Sequence, residues 1–287
     1  MADTAAGRDV TIYPLRLSAP LFAFFLVFFA APLLILLWMS FQADPAMTHA
    51  GLNQYAAFLG DRFSLSVLAA TLWLGVEVTA ICLLLGYPLA WLYTRSPPWA
   101  RTAIMLIVLL PLLTSVVVRT FAWIVILGRQ GIVNETLLAL GFIQTPLKLL
   151  YTEGGMAVAI AQVQMPLMVL PLITAITRIE PNLLDASFAL GGGHWRVFRK
   201  VLLPLSLPGI LAGCMLTYAA AITAFISQSL IGGGQKLFMP MYIYQQASSL
   251  QNWPFASAIS IIFLAAVLVV VWIFNQLGRL SRGMAEA

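Results

Sequence analysis

Few residues in this 287-residue chain have side chains able to do chemistry, and their placement limits what that chemistry is. Glu77 and Arg119 stand inside long apolar runs, where an ion must face protein or water. They read either as an ion pair between neighbouring spans or as groups lining a translocation path, with a position nearer the membrane interface as a third account. Gln162, Gln164, Thr174, Thr223, Ser227 and Gln228 add neutral polar groups to two later runs, suited to interhelical hydrogen bonds or to lining a path. His49 and His194 fall on opposite sides of the expected membrane, so no metal or acid–base pair can use both. Cys82 and Cys214 lie within apolar runs and read as buried thiols. No clustered His, Asp or Glu suggests a catalytic residue or a metal site.

The richest polar stretch runs from Glu180 to Pro208. Pro181 suits the first position of a helix, and Leu183, Leu184 and Phe188 share a face. Gly191, Gly192 and Gly193 stop that helix, and a second begins near His194. Trp195, Phe198, Val201 and Leu202 fall on one side of the second helix, with Arg196, Arg199 and Lys200 on the other. Pro204 and Pro208 bound the entry to the next run. The pattern fits an amphipathic loop snorkelling at the headgroups or a docking surface for a soluble protein.

Composition explains why so little chemistry is present. Hydrophobic residues make up 61% and charged residues 9%, against about 45–50% and about 25% in soluble domains. Too few charges remain for a polar shell, which excludes a freely soluble enzyme, a disordered chain and a nucleic-acid binder. A bilayer core of about 30 Å needs about 20 helical residues, and six stretches qualify: 17–41, 65–93, 103–127, 156–177, 206–231 and 255–277. Period-two alternation is absent, so the expected fold is an all-α integral membrane protein of six transmembrane helices, one domain over 1–287, with a helix-turn-helix loop at 178–205 between spans four and five. The first run is too long for a cleaved signal core and reads as an uncleaved span.

Orientation follows from the cations. Arg8, Arg16, Arg95, Arg101, Arg178, Arg196, Arg199, Lys200, Arg279 and Arg282 flank one side, against Arg62, Arg129, Lys148 and Lys236 on the other. The positive-inside rule then puts both termini and the loops 94–102 and 178–205 in the cytoplasm. The net charge of +5 is thereby allotted to topology and calls for no nucleic-acid partner. Gly131, Asn134, Leu137, Leu138, Leu140 and Gly141 read as a short outer amphipathic helix ended by glycine.

Asp185-Ala186-Ser187, then Gly191, then Val201-Leu202-Leu203-Pro204 resembles the EAA motif of ABC-transporter importer permeases. The spacing agrees throughout; Asp185 stands for the motif's Glu and Ser187 for its second Ala. The segments Leu85–Ala90, Val118–Trp123, Leu203–Ile210 and Gly232–Gly234 are similar to the spermidine/putrescine branch. The resemblance implies that 178–205 couples to a cytoplasmic ATPase through Asp185, Ala186, Ser187, Gly191, Gly192, Arg196, Leu203 and Pro204. It further implies two ATPase subunits holding ATP and Mg, a second permease (a heterodimer favoured, a homodimer possible) and an external binding protein, in a bacterial-type inner membrane. The path is then formed for a small organic solute, a polyamine-like cation favoured, with Glu77, Arg119, Gln162, Gln164, Thr223 and Gln228 as candidate path residues. No cofactor is expected on this chain, which lacks G-x-x-x-x-G-K-[ST] and is not expected to hydrolyse ATP. A stand-alone secondary transporter or channel acting as a homodimer is the alternative, and a membrane-embedded enzyme a more distant one.

Overall fold

The structure, a computed structural model, describes residues 15–283, so Arg8 of the cation count lies outside it. Among the described residues the regular structure is helical, apart from an isolated antiparallel bridge between Gln42 and Ala50. Six segments are long and apolar enough to cross a membrane.

The first crossing joins α1 (Leu15–Phe25) to α2 (Ala31–Ser40) through a π turn over Leu26–Ala30, in which the Ala31 amide donates to the Leu26 carbonyl. Pro32, which has no amide to donate, follows this widened turn. After the short α3 (Asn53–Gly60), α4 (Arg62–Arg95) makes the second crossing. Asp61 caps α4 by accepting from the amides of Phe63 and Ser64 and from the Ser64 hydroxyl. The Ser64 hydroxyl and amide and the Phe63 amide hold the Asp61 carboxyl below the usual carboxylate range. At about 1.5 Å per residue α4 is about 50 Å long, so it projects beyond a core of about 30 Å.

The third crossing is not the single helix expected over 103–127. It is split into α5 (Pro98–Leu113) and α6 (Val116–Leu127), with Thr114 and Ser115 extended between them. Pro111 cannot donate to the preceding turn, and the Thr114 hydroxyl binds the Pro111 carbonyl at 3.2 Å, so side chain and backbone both close α5 there. A stretch of spanning length also runs over Val116–Ala139, but it is broken at 128–131 before α7 (Ile132–Ala139). A Cβ on Gly131 would lie 2.4 Å from two carbonyl oxygens, so only glycine permits this fold-back. Buried Asn134 then donates to the carbonyls of Gly128 and Leu147 and accepts from the Leu147 amide. The short helix therefore forms as expected, and Gly141 follows it at φ +74°.

The fourth crossing is α8 (Glu153–Thr177), followed by α9 (Pro181–Ala189) and α10 (His194–Val197). α10 does not stop before the fifth span. It runs through a π turn, Phe198–Leu202, into α11 (Leu203–Ile222), a continuous rod over His194–Ile222. The Leu203 amide donates to the Phe198 carbonyl, a widened turn that accommodates Pro204 without breaking the rod. The rod instead ends inside the expected 206–231 span: Thr223 and Ala224 leave the helix and α12 (Phe225–Gly232) begins anew. The Gln228 amide nitrogen donates to the carbonyls of Ala221 and Ile222, satisfying the buried last turn of α11. α13 (Met239–Tyr244), a π turn over Gln245–Ser249 and α14 (Trp253–Gly283) complete the chain.

The core is the packing of α4, α8 and α11. Lipid offers helices no hydrophobic reason to associate, so close backbone approach at small residues must supply the attraction. A Cβ on Gly209 would lie 2.4 Å from Ala175 Cβ and 2.8 Å from the Pro171 carbonyl oxygen. One on Gly75 would lie 2.5 Å from Ile222 and 2.6 Å from Tyr218. Gly209→Val should therefore force α8 and α11 apart and cost about 1–3 kcal/mol or more; a thermal scan of detergent-purified protein should show a lower midpoint than Gly154→Val, a position with open space around it.

Candidate functional site

The 178–205 loop forms a helix pair seated on the projecting end of α4. Pro181 opens α9, and the amides of Leu190, Gly191 and Gly192 donate to the carbonyls of Ala186, Phe188 and Ser187 to close it. Gly191 adopts φ +78°, the left-handed conformation that such a helix end requires. Gly192 is required for a different reason: its Cβ would lie 2.6 Å from the Ser187 carbonyl oxygen. Gly193 has an ordinary extended backbone and open space around it.

The faces differ in part from the expected ones. Leu184 and Phe188 of α9 turn inward, whereas Leu183 is 47% exposed. On the second helix Val197 and Leu202 are buried and Trp195, expected among them, is 71% exposed. Trp195 instead stacks on Phe198 at 5.5 Å, and Phe198 meets Tyr87 of α4 edge-on at 5.7 Å. The Tyr87 hydroxyl is 3.0 Å from that of Ser206, a buried bond tying α4 to the first turn of α11. Tyr87, Trp91 and Arg95 thus form the seat of the loop. Sequence reading noted Tyr87 only within a family-like segment; the signal that points to the others is the length of α4, which carries Trp91 and Arg95 beyond the apolar core.

Two clefts flank this seat. One of about 690 Å³ is apolar and aromatic, bordered by Tyr87, Trp91, Phe188, Trp195 and Phe198. The other, of about 530 Å³, brings Asp185 to the same rim as Arg95 and Arg101. Arg95 lies 4.8 Å over the Trp91 ring and Arg101 donates to the Thr94 carbonyl. Asp185, Ala186 and Arg196 are exposed and Ser187 half-buried, its hydroxyl donating to the Leu183 carbonyl. Leu203 and Pro204 are exposed on the continuous rod.

The residues expected inside the membrane do not form one cluster. Glu77 and Arg119 are not paired. Among the described residues the ion pair is Lys236 with Glu153. The Glu77 carboxylate accepts from the Trp73 indole at 2.7 Å, four residues back on α4. Helical geometry explains this, because residues four apart are neighbours, while α6 packs chiefly on α12 and α7. Arg119 lies in the first turn of α6 with Nε and Nη1 buried and unpartnered. α6 packs on α12, where the Thr120 and Ser227 hydroxyls approach to 3.4 Å. Trp123, one turn after Arg119, donates to Gln162 of α8 at 3.3 Å. Gln164 donates to the Ala220 carbonyl, and the Thr223 hydroxyl turns back to Ala219. Gln228 is buried, with its Oε1 unpartnered. Arg119, Gln162 and Gln228 therefore gather where α6, α8 and α12 meet, Gln164 and Thr223 lie along α8 and α11, and Glu77 stands on another helix.

At the opposite end from the helix pair, Lys236 pairs with Glu153, Lys148 donates to Gln235, and Gly233 at φ +58° has the Tyr151 ring where a Cβ would be. Gly232 ends α12, and Gly233 and Gly234 lie in the turn that leads to α13.

Comparison with known proteins agrees with this architecture. The family model described as "Binding-protein-dependent transport system inner membrane component" matches residues 82–282. The chain is 32% identical over 229 residues to the spermidine/putrescine transport system permease protein PotB of Escherichia coli (strain K12), covering 79% of this chain and 83% of that one. It is 31% identical over 276 residues to PotB of Haemophilus influenzae, covering 93% and 95%. A chain of a bacterial alginate ABC transporter, solved in complex with an alginate pentasaccharide-bound periplasmic protein, superposes with a TM-score of 0.73 at 20% identity, covering 92% and 93%.

The two glycines make separable demands on the helix pair. Gly192→Ala should open the turn and raise the rate of tryptic cleavage at Arg196, Arg199 and Lys200 several-fold, whereas Gly193→Ala should leave the digestion time course unchanged.

Proposed function

The chain belongs to the family of binding-protein-dependent transport system inner membrane components, and on that premise we propose how it works: as the permease half of an ATP-driven importer, with the helix pair 181–202 as its drive shaft. It is a multi-pass inner-membrane protein of the importer permease kind. In the proposed assembly α9 and α10 dock in the cytoplasm on one of two ATPase subunits, which hold ATP and Mg. A second, different permease completes the path and an external binding protein delivers the solute, as the periplasmic protein of the alginate transporter suggests. The cation asymmetry supports cytoplasmic termini.

One observation carries this reading. The second helix of the exposed pair runs into α11 without a break and meets α4 through the Phe198–Tyr87 ring contact, beside the Tyr87–Ser206 bond that ties α4 to α11, so a push on it is carried into two core helices. α11 ends at Thr223–Ala224 and α5 at Thr114–Ser115, interruptions where movement of a rod changes the path and not the whole bundle. Asp185 and Arg196, both exposed, are placed for charge-assisted contacts with the ATPase.

The substrate favoured is a polyamine-like organic cation, on the strength of the PotB relatives. Reconstituted with its ATPases, second permease and binding protein, the complex should accumulate labelled putrescine or spermidine only with ATP. Accumulation of another solute class in place of these would overturn the substrate assignment alone. Two glycines inserted after Leu202 should cut uptake at least about tenfold while ATP hydrolysis continues, because the rod no longer transmits the push. Undiminished uptake by that variant would sink the drive-shaft reading.

A further inference from the structure

We propose that Arg119 is the fixed positive charge that closes the resting translocation path to cations. This rests on the reading of the chain as an importer permease and adds what keeps its path from leaking.

A guanidinium at membrane depth is costly unless it is paired or faces polar surroundings. No carboxylate compensates Arg119 among the described residues: Glu77 is engaged by Trp73 on α4, and Glu153 by Lys236. Its Nε and Nη1 are buried without partners. Val117, Val118, Phe121 and Val125 form the exposed apolar side of α6, and Arg119 does not share it. Arg119 lies with Thr120 and Trp123 on the side turned to α12 and α8.

That region has the build of a path. α6 starts directly after the Thr114–Ser115 break, and α12 directly after the Thr223–Ala224 break. The groups gathered there, Thr120, Ser227, Gln162 and Gln228, are neutral and polar, and the Oε1 of Gln228 is unpartnered. The first turn of α6 adds the positive end of a helix dipole to the charge of Arg119. Neutral groups alone would solvate a passing cation. A membrane potential, negative inside, drives cations inward in proportion to their charge, so a cation importer needs a barrier that neutral groups do not provide. A single arginine facing a constriction supplies one.

The test uses the complete complex in proteoliposomes with an imposed inside-negative potential, no ATP and no binding protein. Entry of labelled putrescine and of potassium is measured for wild type, R119K, R119Q and Q162E. Wild type and R119K should stay tight, because charge is what matters. R119Q should leak both cations at least about tenfold faster. Q162E, which places a carboxylate on α8 and keeps the oxygen that accepts from Trp123, should leak in the same way without removing the arginine. R119Q vesicles as tight as wild type, or an R119K leak equal to that of R119Q, would overturn the proposal. So would loss of assembly in all three variants, which assigns Arg119 to packing alone. ATP-driven uptake by the wild-type complex is scored separately: its absence defeats the importer reading, whereas equal leaks defeat only the barrier.

Discussion

The constraint on which the rest of this molecule depends is the close approach of α8 and α11. Gly209 lies against Ala175 and Pro171, and Gly213 against Met168, at distances no larger residue tolerates. Lipid competes poorly for such an interface, because packing at backbone contact gains dispersion attraction that acyl chains do not match. α4 joins the same interface through Gly75 and Gly86. These three helices carry the seat of the helix pair at one end and the polar groups of Gln162 and Gln164 nearer the middle. If the approach were looser, a push on α11 would be absorbed by repacking and not passed on.

A membrane gives no water to an interrupted helix, so every break must be satisfied from within the protein. The side chains that do this recur at the breaks. Asn134 clamps the fold-back after α6, Gln228 covers the last carbonyls of α11, and Thr114 and Thr223 turn their hydroxyls onto the helix they follow. The π turns at Leu26–Ala30 and Phe198–Leu202 serve a related end, accommodating a nearby proline without exposing backbone. Residues that look from composition like stray polar groups are thus mostly there to permit breaks. Arg119 is different, because its Nε and Nη1 satisfy nothing among the described residues.

The two ends of the helix pair are built differently. The end at Gly191 and Gly192 is a tight turn exposed to solvent, free to adapt to a partner. The end at Leu202 is buried and continuous with a core helix. Asp185, one methylene shorter than the motif's Glu, shares its rim with Arg95 of α4 and Arg101 of α5.

Membrane location, helical class, the number of crossings and the glycine-ended helix pair were legible in the residues alone, because each depends on local hydropathy or on a backbone demand peculiar to Gly and Pro. The family was legible too, since the spacing of Asp185, Gly191 and Pro204 survives substitution at two motif positions. Tertiary structure decided the rest. Hydropathy sums over a window and cannot register that spans three and five are split, because the atoms that terminate them, on Thr114 and Gln228, act through hydrogen bonds and not through polarity totals. It placed Glu77 and Arg119 in equivalent apolar runs, yet one is answered by its own helix and the other faces a different set of helices. Which charges meet depends on how the helices are rotated about their axes, and glycine contacts between distant parts of the chain set that rotation.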